Sequence, residues 1–412
     1  MTSFGLLRCP RDIIFGRGQR AALGRIASSL GGRAFVCTDA RMARTPAFED
    51  MMADLGRTGV EVRVYDGTLV DVPLSTVAEA AAEADAFQPD LIIGIGGGSC
   101  LDLAKATALI HRHGGDIRDY YGEGKVPSPI APVIAIPTTA GTGSEVTPVA
   151  VLSDPGRLLK VGVSSVYLVP TVAICDPELT LTCPPALTAI SGADALTHAI
   201  EAFTATVREA TPELSQTNVF VGKNSLSDHF AKLAVQLIFR HLRRASEDGS
   251  DIEAREGLML GALAAGMAFG TAGTALAHAL QYPLGALTHT SHGEGVAALL
   301  PYVMEFNRPV SSPLYAELAA PMGLPPLEDE EAACTAAIDA VVALFASVGI
   351  PGSLSAMGLA ADEKERVARE ALTAARLINN NPRPVEFEGA RHVVEAAFSG
   401  DRQAARRELQ AN

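Results

Sequence analysis

Aromatic residues are scarce in this sequence, which has no Trp and 5% aromatic residues in total. It therefore offers no obvious platform on which a planar substrate would stack. Cysteine is also sparse: the six residues are scattered, without a CxxC pair. This pattern indicates buried thiols in a reducing compartment rather than a disulfide framework. Runs of Lys and Arg are absent and the net charge is −14, so nucleic acid and anionic membranes are not expected as partners.

Targeting and membrane signals are missing as well. Residues 1–10 have no basic region followed by a long apolar stretch, so we expect no signal peptide and a cytoplasmic location. One stretch, residues 257–277, is long and uncharged and could resemble a membrane span. It contains five glycines and is followed at once by His278. We therefore interpret it as a tightly packed, buried helix.

The length and the hydrophobic pattern predict two domains of different class. A chain of 412 residues with 48% hydrophobic residues exceeds the size at which single cores stop growing. Residues 11–150 alternate short β-branched runs with helical patterns, which predicts a parallel sheet with helices on its faces. Residues 150–153 and 160–163 are predicted to pair as a β-hairpin. From Pro184 onward, Ala- and Leu-rich helical patterns dominate. We predict an α/β domain over residues 1–185 and an all-helical domain over residues 186–412.

Four potential metal ligands lie in the helical half. Asp194 and His198 are four residues apart in an apolar stretch that reads as a helix, so both side chains leave one face. His278 and His292 follow further along the chain. One carboxylate and three imidazoles suit Zn²⁺, Fe²⁺ or Mn²⁺. Each residue alone is more simply explained as an ordinary core residue, but the set, in a chain with nine His, favours a metal site.

A glycine-rich turn follows the strand-like run 91–95. Gly96, Gly97 and Gly98 allow close approach of a ligand, and the free N–H groups at the start of the following helix favour an anion such as a pyrophosphate. The pattern is not the Rossmann fingerprint, because Ser99 stands where a third glycine is expected. The alternative is a tight strand-to-helix turn without a ligand.

Two further polar features accompany the glycine turn. Asp39 ends the strand-like run 34–37, where a carboxylate accepts hydrogen bonds from ribose hydroxyls and repels a 2′-phosphate. The alternative, a helix N-cap, is equally consistent with the sequence. Arg41, two residues further on, weakens the expected repulsion of a 2′-phosphate and so the exclusion of NADP, the dinucleotide that carries this phosphate. A second strand is followed by a dense set of hydroxyls at Thr138, Thr139 and Thr142. An ordinary polar turn is the alternative for that segment.

These segments together resemble one known family. Residues 192–203, His278-Ala-Leu and His292-Gly are similar to the metal segments of the iron-containing (group III) alcohol dehydrogenases. The runs 96–102 and 137–145 are similar to the cofactor segments of that family. The likeness runs in order over residues 10–310. It implies a dehydroquinate-synthase-like architecture, in which a dinucleotide-binding parallel sheet precedes a helical metal-binding domain.

The resemblance also implies an activity and a ligand set. It implies interconversion of a small alcohol with its aldehyde or ketone by hydride transfer at a site between the domains, in a homo-oligomer, a dimer by family likeness. The metal would be one divalent ion, first of all Fe²⁺, with Zn²⁺ and Mn²⁺ as alternatives, bound by Asp194, His198, His278 and His292. The cofactor would be NAD. Its implied contacts are Asp39, Gly96, Gly97, Gly98, Ser99, Asp102, Thr138, Thr139 and Thr142, with Lys160 near the nicotinamide.

The sequence departs from the family pattern at two positions. Family members often carry another His four residues after the ligand that corresponds to His278, and Tyr282 stands there instead. Tyr282 and His289 are our candidates for proton transfer, with a pocket-lining or core role as the alternative for each. At Asp71 the family more often has Asn, which leaves that contact open.

Three other functions compete with the dehydrogenase. A dehydroquinate-synthase-like lyase also combines NAD, a metal and this architecture, but its phosphorylated, carboxylated substrate demands basic residues that the apolar metal segments lack. A maleylacetate-reductase-like enzyme would lack the metal set. A non-catalytic metal-stabilised binding protein would not need two nucleotide-type segments.

Overall fold

The computed structural model describes residues 4–157 and 160–406. A six-stranded parallel sheet has the strand order β1-β9-β6-β4-β2-β3, and a small second sheet has the order β5-β8-β7. The strands are β1 Asp12–Phe15, β2 Arg33–Cys37, β3 Glu61–Tyr65, β4 Leu91–Gly96, β5 Gly122–Glu123, β6 Val133–Pro137, β7 Val149–Leu152, β8 Val161–Ser164 and β9 Val172–Cys175. The helices of this half are α1 Leu23–Leu30, α2 Pro46–Arg57, α3 Leu74–Phe87 and α4 Gly98–His113.

The central strands are apolar along their whole length because helices cover both faces of the sheet. Strand β2 shows this by alternation: Ala34 and Val36 pack into one hydrophobic cluster, and Phe35 and Cys37 pack into the other. Strand β4 is buried at every position. The predicted parallel sheet is confirmed, and so is the predicted hairpin, since β7 pairs with β8 in antiparallel fashion.

The remainder of the described chain is helical. The helices are α5 Pro185–Thr204, α6 Leu214–Thr217, α7 Ser225–Glu247, α8 Ile252–Ala272, α9 Leu276–Thr288, α10 His292–Leu318, α11 Glu330–Ser347, α12 Lys364–Ala371, α13 Ala375–Ile378, α14 Phe387–Ser399 and α15 Arg402–Arg406. Helix α5 packs against α7, α8 and α10. Among the described residues, no single helix has the length and apolar character to cross a membrane; α8 and α9 meet that test only as a pair, bent by 103°.

The described chain separates into two compact units. One comprises residues 7–157, 160–183 and 212–219, and the other comprises residues 4–6, 184–211 and 220–406. The short segment 212–219 belongs with the sheet, where the Arg8 guanidinium donates to the carbonyls of Asn218 at 2.9 Å and Val219 at 2.7 Å. The predicted boundary between two independent domains at residue 185 stays a prediction.

Candidate metal centre and dinucleotide turn

The metal candidates start on helix α5. Asp194 and His198 leave the same face one turn apart, and His198 Nε2 lies 3.6 Å from Asp194 Oδ1. Both residues are buried, at 3% and 5% exposure. The His198 ring stacks on Phe269 at 4.2 Å and on His278 at 4.8 Å between ring centroids. Packing on both faces therefore fixes the His198 ring.

Helix α9 supplies the next imidazole through a sharp change of direction. Gly273 ends α8 with φ of 82°, a left-handed conformation that favours glycine. Helix α9 starts three residues later, and His278 lies in its first turn. His278 Nε2 is 3.8 Å from Asp194 Oδ1.

The third imidazole comes from the start of helix α10. His292 is the first residue of that helix, and its Nε2 is 4.0 Å from Asp194 Oδ1. The adjacent Gly293 makes this approach possible, since a Cβ there would lie 2.7 Å from the Ile190 carbonyl oxygen and 3.1 Å from Asp194 Cβ. His292 therefore supplies a potential metal ligand, and Gly293 allows helix α10 to approach α5 closely enough for that ligand to come near Asp194.

Three of the four side chains, those of Asp194, His278 and His292, form one cluster of potential metal ligands, and the fourth, His198, approaches Asp194. Two donors at about 2.1 Å from one ion are at most about 4.2 Å apart, and each of the three Nε2–Oδ1 distances is shorter than that. The donor atoms of Asp194, His278 and His292 all lie within 4.8 Å of one another. His278 Nε2 is buried and makes no hydrogen bond within the described residues. A buried nitrogen of this kind costs free energy unless a partner binds it. The residues fit a divalent metal ion.

Two residues that our sequence reasoning missed orient these imidazoles. Glu201 Oε2 accepts a hydrogen bond from His278 Nδ1 at 2.6 Å, and its carboxylate also accepts from the N–H groups of Ala275 and Ala277. Gln281 Oε1 lies 2.7 Å from His292 Nδ1. Glu201 could have been found, because it follows Asp194 by seven residues and so shares its helix face. No sequence signal indicates Gln281.

The two candidates for proton transfer lie in different surroundings. The Tyr282 ring stacks on His292 with centroids 6.2 Å apart, and burial raises the pKa of its phenol, so the hydroxyl keeps its proton at neutral pH. His289 caps the end of α9 with φ of 56° and is exposed. The structure brings Tyr282 beside the metal candidates. The role of both residues in proton transfer stays a prediction.

The glycine turn joins β4 to α4, and its three glycines differ in the space that surrounds them. Gly96 has φ of 151°, and a Cβ there would lie 2.4 Å from Cys100 Sγ. A Cβ on Gly98 would lie 2.6 Å from Thr142 Cγ2. The packing of the turn itself thus requires these two glycines. Gly97 is different, because a Cβ there would meet Thr139 only at an ordinary 3.6 Å.

Asp39 performs the capping role that we considered as an alternative. Its Oδ1 accepts hydrogen bonds from the N–H groups of Arg41 and Met42, both at 2.9 Å. Its Oδ2 accepts from Cys100 Sγ at 3.7 Å. One carboxylate oxygen therefore caps the turn after β2, and the other faces the glycine turn. The ribose contact stays a prediction.

The hydroxyl-rich segment after β6 is tied to the glycine turn. The Thr138 N–H donates to the Gly96 carbonyl at 2.9 Å, and Thr138 Oγ1 is buried without a hydrogen bond in the described chain. Asp102 accepts from Ser144 Oγ at 2.6 Å and from the Val151 N–H at 3.0 Å. One Asp102 oxygen thus holds this segment and the other holds strand β7, and direct contacts of Asp102, Thr138, Thr139 and Thr142 with a cofactor stay predictions.

Two buried ionisable residues next to this segment were not predicted. The ammonium of Lys105 donates to the carbonyls of Thr147 and Val149 at 2.9 and 2.8 Å. Burial lowers the pKa of Lys105 to about 8. Burial raises the pKa of Glu145 to about 7, although Lys105 opposes this rise. A fully buried lysine is rare, so composition and pattern gave no reason to expect it.

Lys160 forms an ion pair with Asp71, one of the two positions at which the sequence departs from the family pattern. Its Nζ lies 2.5 Å from Asp71 Oδ1, and the Asp71 N–H donates to Ser99 Oγ at 3.3 Å. Asp71 and Val72 both have positive φ, at 64° and 47°, which is unfavourable for a β-branched residue. The strained turn therefore lies against the start of α4.

Comparison with protein families decides the identity of the fold and its chemistry. The family of iron-containing alcohol dehydrogenases matches residues 10–177, and its C-terminal family matches residues 188–398. The chain belongs to the iron-containing alcohol dehydrogenases. Family membership implies a divalent metal and NAD, which agrees with the donor set on α5, α9 and α10.

Individual relatives support the same assignment over nearly the whole chain. Long-chain-alcohol dehydrogenase 1 of Geobacillus thermodenitrificans (strain NG80-2) is 38% identical over 89% of each chain. NAD-dependent methanol dehydrogenase of Bacillus methanolicus is 34% identical over 97% of this chain and 100% of its own. The crystal structure of a 1,3-propanediol oxidoreductase has a TM-score of 0.89 at 32% identity, covering 96% of this chain and all of its own.

The activity follows from these findings at the level of reaction class. The protein is an oxidoreductase that acts on CH–OH groups and interconverts alcohols and aldehydes with an NAD-type cofactor. The lyase that competed with this assignment is not favoured, since the named relatives are dehydrogenases and an oxidoreductase.

Proposed function

We propose that this iron-containing alcohol dehydrogenase uses NAD and one Fe²⁺ ion held by Asp194, His198, His278 and His292. The observation that carries the proposal is the approach of three Nε2 atoms to Asp194 Oδ1, at 3.6, 3.8 and 4.0 Å. The unbonded, buried Nε2 of His278 supports it further. Zn²⁺ and Mn²⁺ also bind carboxylate and imidazole ligands. The ligand set therefore does not identify the ion, and metal analysis of the purified protein is needed to distinguish the three.

The reaction transfers a hydride from the alcohol carbon to NAD⁺ and releases a proton, which gives the aldehyde or ketone and NADH. When bound, the divalent ion supplies Lewis acidity that lowers the pKa of the substrate hydroxyl and stabilises the alkoxide. Asp194 contributes one negative charge, which leaves a net charge near +1 for that purpose. The Tyr282 hydroxyl, protonated at neutral pH because its pKa is raised, is the proposed proton relay, with His289 as the second candidate.

The residues of the glycine turn take the cofactor in this proposal. The N–H groups at the start of α4, from Gly97 to Ser99, bind the pyrophosphate, because a helix N-terminus favours an anion. Gly97 allows the close approach because it has no side chain, and the packing of the turn does not itself require a glycine there, since a Cβ would meet only Thr139, at 3.6 Å. Asp39 accepts from the ribose hydroxyls with the oxygen that faces the turn. Thr138, Thr139, Thr142 and Lys160 complete the contacts.

Two coarser properties accompany the activity. We infer a homodimer, as the family likeness implies, which sedimentation velocity would test. We also infer a cytoplasmic location, supported by six cysteines that form no disulfide within the described residues, five of them buried and Cys9 exposed. A reducing compartment preserves such thiols.

Metal analysis combined with a substrate panel tests the proposal. Protein purified without chelator should contain about one divalent ion per chain, and primary alcohols should reduce NAD⁺ with a rise in NADH absorbance. His278→Ala should lose metal and turnover together while NAD binding persists. His229→Ala, which removes a histidine from helix α7 of the same unit, should keep both. Fully active wild-type protein without metal would refute the assignment, and activity that survives chelation would make the ion structural.

A further inference from the structure

Two of the candidate imidazoles, His278 and His292, are each held at Nδ1, but by different chemical groups. His278 Nδ1 meets the Glu201 carboxylate, and His292 Nδ1 meets the Gln281 amide oxygen at 2.7 Å. An amide oxygen can only accept a hydrogen bond. His292 Nδ1 must therefore carry the proton and donate it, which leaves the lone pair on Nε2, the atom 4.0 Å from Asp194 Oδ1.

The position of Gln281 is built for this side chain. Gln281 is 1% exposed, and a Cβ on Gly285 would lie 2.7 Å from its Nε2. A Cβ on Gly295 would lie 2.7 Å from its Cγ. One glycine on α9 and one on α10 thus leave the space that the amide fills. A buried polar side chain with a fixed rotamer and a specific partner is suited to orient that partner.

His292 needs such a partner more than the other imidazoles do. Its side chain is 29% exposed, whereas the side chains of His198 and His278 are 6% and 4% exposed. The His198 ring is stacked between Phe269 and His278. His292 is also the first residue of its helix, where no preceding turn restricts the side chain. Without a bond at Nδ1, the ring would be held by its contacts with the rings of Tyr282 and His278, whose centroids lie 6.2 and 5.4 Å away.

We propose that Gln281 is a positioning residue that fixes the tautomer and the ring plane of His292, so that Nε2 faces the metal position. The inference rests on the proposed metal site and adds a residue to it. Gln281 touches neither substrate nor cofactor in this proposal, and it acts only through His292. Partners of this kind typically change metal affinity ten- to a hundredfold.

Metal binding and spectroscopy test this role without reliance on turnover. Gln281→Met keeps the length and volume of the side chain but removes the acceptor, and Gln281→Glu restores an acceptor. We expect the Kd for Co²⁺, measured by chelator competition on apo protein, to rise about ten- to a hundredfold in Gln281→Met and to return close to the wild-type value in Gln281→Glu. The visible absorption bands of bound Co²⁺ should change in Gln281→Met, because they report the ligand geometry. Ser246→Ala, which removes a hydroxyl that donates to the Leu242 carbonyl within helix α7 of the same unit, should leave Kd and spectrum unchanged.

A double-mutant cycle separates positioning from general loosening of α9. If Gln281 acts through His292, then Gln281→Met should cause no further loss of Co²⁺ affinity in a His292→Ala background. Losses that add fully in the double variant would overturn the proposal, as would a Gln281→Met variant with wild-type Kd and spectrum. Wild-type protein that fails to bind Co²⁺ would instead overturn the proposed function, so the two failures are distinguishable.

Discussion

Replacement of Gly293 by Ala tests whether the approach of α10 to α5 controls the metal position. The new Cβ would lie 2.7 Å from the Ile190 carbonyl oxygen, 2.8 Å from Ile190 Cγ2 and 3.1 Å from Asp194 Cβ. The first of these contacts is with backbone, so a rotamer change cannot relieve it. The start of α10 must therefore move away from α5 by several tenths of an ångström, and His292 must move with it.

The energetic consequence combines two opposing effects. Overpacking in a close-packed interior costs about 1–3 kcal/mol, and Gly→Ala in a helix contributes about 1 kcal/mol in the other direction. The control is Gly56→Ala on the exposed face of α2, where a Cβ would meet nothing within 4 Å. That variant should keep or gain up to about 1 kcal/mol. The free energies of unfolding of the two variants should thus differ by about 1–3 kcal/mol.

The effect on metal affinity should exceed the effect on the fold. Ligand constellations must be held within about 0.5 Å of their productive geometry, so a shift of this size should weaken Co²⁺ binding at least tenfold. Urea unfolding of the apo proteins and chelator competition would measure the two effects separately. Gly293→Ala with unchanged metal affinity would refute the reasoning that Gly293 sets the distance between His292 and Asp194.

Three further predictions concern the sheet-containing unit. Asp39→Asn keeps a good capping residue but removes the charge beside the glycine turn, so the ratio of NADP⁺ to NAD⁺ activity should rise; an unchanged ratio would remove Asp39 from the ribose site. Gly97→Val should weaken NAD binding with metal content intact, because a β-branched side chain blocks close backbone approach; equal loss of metal would indicate misfolding. Burial raises the pKa of Glu145 from its ordinary 4.5 to about 7, so its contribution to stability is complete below pH 4.5 and is lost as pH rises through 7. The free energy of unfolding of wild type relative to Glu145→Gln should therefore fall across that range, as urea titrations at several pH values would show.

The parts of the structure that the sequence predicted are those encoded by contiguous patterns. The alternation of strands and helices, the turn at residues 96–98 and the spacing of Asp194 and His198 all depend on periodicity within one segment. Asp39 was placed correctly at the end of β2, and the capping role that we weighed against a ribose contact is present.

The parts that were missed depend on contacts between segments. Gln281 meets His292 only because α9 and α10 pack together with Gly285 and Gly295 between them, and no local pattern encodes that packing. Lys105 lies in a helix whose neighbouring positions are all buried, yet its charge argues for a surface position in any sequence-based reading. Residues 212–219 pack with the sheet-containing unit, where the Arg8 guanidinium donates hydrogen bonds to three of their backbone carbonyls. Hydrophobic periodicity does not predict these hydrogen bonds either.

Glu201 and Gln281 hold their imidazoles in similar ways, but only one of them has a second structural duty. The Glu201 carboxylate accepts from the N–H groups of Ala275 and Ala277 and so satisfies donors that the start of α9 would otherwise leave unpaired. Its removal would strand those donors as well as the imidazole, at a cost of about 1–3 kcal/mol for each buried unsatisfied group. Loss of metal in a Glu201 variant therefore could not be separated from loss of the helix that carries His278. Gln281 makes its bond to His292 from the second turn of α9, whose backbone is already paired within the helix, and for that reason its substitution isolates the orientation of one ligand.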